Sequence, residues 1–134
     1  MHNLIAHILI FVFLFSLFSS NTIKSQKEEI EEITLSFQAG SSRDLAQHFH
    51  SNLEMNINGN QADYSKNQAE QVLRDFFKKF PPIDFQIIHR GESADNLKYF
   101  IGLYNSDNIS FRVLIKGRNS QETMKIYSMD FTKE

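Results

Sequence analysis

Residues 64 to 91 join a strongly amphipathic helix to a half-buried strand, and nearly everything after them has strand character. Ala69, Val72, Leu73, Phe76, Phe77 and Phe80 recur at helical spacing and form one wide apolar face, while Lys66, Glu70, Arg74 and Lys78 face water. Ser65 is the residue type of an N-cap. Pro81-Pro82 stops the helix, because neither residue donates a backbone N–H and Pro82 excludes helical torsions from its predecessor. Such a chain must lay the aromatic face of one long helix on a sheet.

Four strands are predicted after this stop: Ile83 to Gly91, Leu97 to Asn105, Ile109 to Lys116 and Glu122 to Thr132. The turns between them are Asp95-Asn96, Ser106-Asp107-Asn108 and Gly117-Arg118-Asn119-Ser120, all short enough for antiparallel hairpins. Ahead of the long helix, Lys27 to Gln38 has helical spacing of Ile30, Ile33 and Phe37, with Glu28, Glu29, Glu31 and Glu32 near its positive end. Ala39-Gly40 ends that helix, Ser41 or Ser42 caps a short second one, and Leu45, Ala46 and Phe49 form its apolar face. Leu53, Met55 and Ile57 alternate as on a strand, Asn58-Gly59-Asn60 suits a tight turn, and Gln61 to Tyr64 reads as a short return strand.

Leu4 to Phe18 is an almost unbroken apolar run ending in Ser16, Ser19, Ser20 and Thr22. As a helix it reaches roughly 22 Å, short of a hydrocarbon layer of roughly 30 Å, so residues 1–25 are expected to be a secretory signal peptide and residues 26–134 a single domain. Cleavage fits after Ser20, Thr22 or Ser25. This places the domain outside the cytoplasm, periplasmic or secreted. With no cysteine the chain has neither disulfides nor thiolate metal sites, and it lacks the lipid-bearing Cys of a lipoprotein, so no membrane anchor is expected after leader removal.

The chain has 14 basic and 16 acidic side chains; Lys24 leaves with the leader, so the domain keeps 13 and 16, a formal net charge of −3. Lys78-Lys79 and Lys116-Gly117-Arg118 are short and far apart, which argues against nucleic acid as a partner. The phosphate loop, the nucleophile elbow and the His-Glu-x-x-His motif are all missing, and no cofactor is expected.

Tyr64-Ser65-Lys66-Asn67-Gln68-Ala69-Glu70, Phe76-Phe77, His89-Arg90-Gly91 and Phe111-Arg112-Val113 resemble a small family of secreted proteins from Bacteroidetes-type bacteria, the domain of unknown function 4783. The element order likewise resembles the nuclear transport factor 2-like superfamily, and the likeness spans essentially the whole of residues 26–134. The resemblance implies a cone-shaped α+β (cystatin-like) fold, with N-terminal helices packed on a bent antiparallel sheet around a pocket. It implies no catalytic residues, since the family has no established activity. The superfamily holds isomerases, dehydratases and cyclases beside many binding domains, so fold alone does not select a function.

His89 shares strand parity with Phe85 and Ile87, which would aim it into the cone as a general base or ligand contact. The alternative is a wet strand end beside Gly91, with the ring bonded to backbone. Asp130 and Ser128 share parity with Met124 and Ile126, and Tyr104 closes the second long strand. An isomerase-like site would take Asp130 as base and Tyr104 as oxyanion donor, although Asp130 lies close to the chain end, where exposure is usual. His48 and His50 are two apart, which on a helix turns them to different sides, so no metal site is expected. Phe85 and Phe111, with His89, are candidate walls of an apolar ligand pocket, against the commoner role of such rings in a filled core. Together these features favour a non-catalytic domain that binds a small apolar ligand or an envelope protein, as a homodimer through its open sheet face. The alternative is a cofactor-independent isomerase, dehydratase or cyclase around His89, and a filled structural dimer is a third reading.

Overall fold

The structure, a computed structural model, describes residues 3–5, 21–121 and 123–134. Most of the expected leader, including the apolar run from residue 6 onward, lies outside the described residues. Among them no helix is long and apolar enough to cross a membrane.

Helix α1 (Asn21–Ala39) is followed by the short α2 (Ser42–Ala46), strands β1 (Phe49–Ile57) and β2 (Asn60–Ser65), and the long helix α3 (Lys66–Lys79). A meander of β3 (Asp84–Glu92), β4 (Leu97–Asn105), β5 (Ser110–Ser120) and β6 (Thr123–Lys133) completes the domain. The six strands form one sheet in the order β2-β1-β6-β5-β4-β3. Neighbours pair antiparallel except β1 and β6, which run parallel, so the sheet is mixed rather than wholly antiparallel.

Local chemistry sets the helix boundaries. Gly40, at φ 63°, sends its N–H to the Phe37 carbonyl while Ser41 N–H reaches the Ser36 carbonyl, a Schellman ending for α1. Ser41 then caps α2 by accepting from Asp44 N–H at 3.2 Å. Ser65 and Gln68 form a reciprocal capping box on α3: Gln68 N–H donates to Ser65 Oγ, and Ser65 N–H donates to Gln68 Oε1. After Pro81-Pro82 the freed carbonyls find side chains, the Tyr104 hydroxyl donating to Phe80 and Ser106 Oγ donating to Pro81 at 2.7 Å. Asn58 and Gly59, both at positive φ, make the β1–β2 turn.

Two boundaries depart from expectation. Phe49 opens β1 instead of closing α2, because Ile126 N–H takes the His48 carbonyl and draws the chain into the sheet. Gly117 to Ser120 lie within β5, and Ser120 pairs with Thr123 across a two-residue connection in which Gln121 has φ 57°. Gly117 is there for closeness rather than for a turn: a Cβ would stand 2.7 Å from the Met124 side chain.

The core lies between the helices and one face of the sheet. Ile33 and Phe37 of α1 and Ala69, Leu73, Phe76 and Phe77 of α3 meet Met55, Phe85, Tyr104, Phe111, Ile115 and Phe131 from the strands. Phe37 stacks on Phe85 at 4.3 Å between centroids, and Phe76 touches Phe131 at 4.8 Å and Phe111 at 5.1 Å. Gly102 lets the Phe85 ring cross β4, since a Cβ would meet that ring at 2.4 Å. These rings fill the cone; truncating one to Ala typically costs about 3–5 kcal/mol in such a setting.

Candidate functional site

Two bulges decide where the polar candidates point. In β3, Ile87 pairs with Gly102 but His89 pairs with Ile101, so Ile88 is an extra residue and the alternation reverses beyond it. His89 is therefore exposed on the outer face, opposite to the inward orientation expected from its parity with Phe85. In β6, Gly117 pairs with Ile126 and Lys116 with Ser128, which leaves Tyr127 as the extra residue. Met129 and Phe131 consequently take the buried positions, and Asp130 turns outward, where Asn56 Nδ2 donates to its Oδ2 at 3.3 Å.

Tyr104 stays inside, fully buried, with its hydroxyl bonded to the Phe80 carbonyl. Burial pushes its phenol above the ordinary value of 10, so it remains protonated and holds the exit of α3. His89, Tyr104 and Asp130 do not converge on one cavity: the sheet itself separates Tyr104 from the other two. Phe85 and Phe111 are packed among core rings and line none of the surface clefts described below.

Outside the sheet, a groove of about 350 Å³ runs over β4, β5 and β6. Ile101 and Leu114, a cross-strand pair, lie beneath it, and Tyr99 and Tyr127 line it with Lys98 and Lys116. The β6 bulge is what brings Tyr127 to this face, and the Arg118 guanidinium sits 5.6 Å from its ring centroid. Tyr99 crosses Gly91, where a Cβ would meet the ring at 1.9 Å, and its hydroxyl comes within 3.5 Å of His89 Nε2. His89 thus flanks this groove instead of the cone.

Sequence reasoning passed over Tyr99, Ile101, Leu114 and Tyr127. A signal was present for β4: Tyr99-Phe100-Ile101-Gly102-Leu103-Tyr104 is apolar at every position, the pattern of a strand covered on both faces. Tyr127 had no such signal, because a bulge depends on the partner strand.

The helical side carries a second cleft, of about 420 Å³, lined by Glu32, Asp44 and His48 among others. The His48 Nε2 stands 3.6 Å from Glu32 Oε2. His48 closes the junction of α2, β1 and β6, its own N–H donating to the Leu45 carbonyl. His50 lies apart, with Nδ1 within 3.4 Å of the Asn52 backbone N. Among the described residues no three His, Asp or Glu side chains are placed to hold a metal ion.

Known proteins match both sequence and fold. Residues 30–132 match the family described as a domain of unknown function, DUF4783. The crystal structure of a DUF4783 family protein from Bacteroides ovatus is 23% identical with a TM-score of 0.73, covering 77% of this chain and 93% of that one. Its counterpart from Bacteroides uniformis is 24% identical, also at 0.73, covering 78% and 95%. An NTF2-like protein of unknown function from Silicibacter pomeroyi is 13% identical with a TM-score of 0.59, covering 87% and 98%. No curated protein matches the chain. A mixed, curved sheet wrapped on N-terminal helices, and a family match running from α1 to the last strand, lead to one assignment: the chain belongs to the DUF4783 family and has an NTF2-like α+β fold.

Proposed function

We propose that the protein is an extracytoplasmic, non-catalytic binding domain whose working surface is the outer face of the sheet. One observation carries the reading: aromatic side chains fill the cone, whereas Tyr99, Ile101, Leu103, Leu114 and Tyr127 remain only partly covered on the other side. A strand that is apolar on both faces loses part of its burial free energy, roughly 25 cal/mol per Å², unless something covers the second face. The ligand is a small apolar molecule or an envelope protein. A second copy of the chain is one form of the latter, favoured by charge: Arg112, Lys116 and Arg118 stand on β5, while Glu54 and Asp63 stand on β1 and β2. Basic β5 and acidic β1 and β2 lie on either side of β6, and a two-fold contact can set one group against the other. The alternative isomerase-like reading draws no support from the dispersed His89, Tyr104 and Asp130.

Nile red, a neutral dye that brightens on apolar surfaces, and equilibrium sedimentation test this together. The purified protein is expected to bind the dye or to dimerise, and Ile101→Glu with Leu114→Glu to abolish either while thermal unfolding stays cooperative. A protein that leaves the dye dark and stays monomeric at tens of micromolar overturns the reading.

A further inference from the structure

We propose that the groove on the outer face takes a small amphipathic anion, an apolar body bearing one carboxylate or comparable acidic group; this rests on the outer face being the binding surface. The floor is Ile101 beside Leu114, with the aromatic rings of Tyr99 and Tyr127 also lining the groove. A volume of about 350 Å³ falls at the low end of the roughly 300–1,000 Å³ usual for small-molecule sites. The surface it presents is mainly apolar, which suits a hydrocarbon or aromatic body and gives a polar molecule little to bond.

Charge selects the rest of the ligand. Two lysines, Lys98 and Lys116, line the groove, Arg118 stacks over Tyr127, and no lining residue is acidic. Lys98 faces Glu92 across the β3–β4 pair, but Lys116 stands opposite Tyr99 on one side and Ser128 on the other. Among the described residues no carboxylate lies within ion-pair distance of Lys116. Asp130 shares this face, opposite Leu114, but accepts from Asn56 Nδ2 and makes no ion pair with Lys116, so the ammonium beside the apolar floor complements an anionic head whose tail covers Ile101 and Leu114. The His89 imidazole, near the hydroxyl of Tyr99, adds a polar group at that edge. A cationic amphiphile would meet repulsion from Lys98, Lys116 and Arg118, and a neutral one would gain only the apolar contact.

The test is displacement of bound Nile red by decanoate and by decanol, both below their aggregation limits. Decanoate is expected to displace the dye at about fivefold lower concentration, the scale of one partly exposed ion pair. Added salt should shrink the difference. Lys116→Gln should remove most of the preference, so that acid and alcohol displace the dye at similar concentrations. If the dye binds but acid and alcohol displace it equally, the anion is wrong and the outer-face reading stands. If the dye does not bind while the protein dimerises, the groove is closed by a second copy and the inference falls, again leaving the outer face as the working surface.

Discussion

At the scale of single residues, His48 and Tyr104 show how burial assigns a role. The side chain of His48 is 12% exposed, and burial holds its imidazole below the ordinary 6.5. Glu32, Glu29 and Asp44 pull the other way, and Lys125 adds to burial. The unfolded chain therefore binds a proton near pH 6.5 that the folded chain accepts only at lower pH, so stability falls as pH drops through 6.5 and levels off once the folded ring is charged. The urea midpoint is expected to decline as pH drops through the ordinary 6.5 in the wild type and to flatten in His48→Gln. Equal slopes in the two proteins would assign the loss elsewhere. Tyr104 is the reverse case, a titratable group with a catalytic résumé by residue type, yet employed in holding the Phe80 carbonyl where the Pro-Pro pair ends α3. Its residue type was legible in the sequence; the identity of its hydrogen-bond partner was not, because Phe80 is brought to it only by packing.

At the scale of elements, α3 is the part most completely written in its own residues. Helical spacing, the Ser65 cap and the proline stop are all local, and each appears in the structure where the sequence puts it. Ser65→Ala is expected to lower stability by about 1 kcal/mol in urea unfolding. Gln68→Ala should then cost less in that background than alone, because both side chains belong to one capping box; strictly additive losses would argue against the box. The long strands behave differently. Their existence was legible from alternation and turn residues, and β4 in particular begins and ends as predicted. Their phase was not. A bulge at Ile88 and another at Tyr127 reverse the side of every later residue, so His89 and Asp130 leave the interior together while Tyr127 joins the outer face.

For the molecule as a whole, the filled cone and the partly covered outer face separate fold from function. The aromatic core explains how a domain without a disulfide holds together, and the proposed binding is assigned to the outer surface of the sheet. The proposed extracytoplasmic location has a direct check. When the full chain is expressed in a bacterial host, the exported form should begin at Asn21, Ile23 or Gln26 by N-terminal sequencing, and an intact Met1 chain confined to the cytoplasm would remove that proposal. The sequence by itself determined the helices, their caps and stops, the number and order of strands and the family resemblance, because these depend on neighbours a few residues apart. Only the tertiary structure decided which way the strands' side chains point, that β1 runs parallel to β6, and that the aromatic faces close on one another. Those features depend on the register between strands distant in the chain, where inserting one residue in one partner turns a candidate base out of the core and a tyrosine onto the surface.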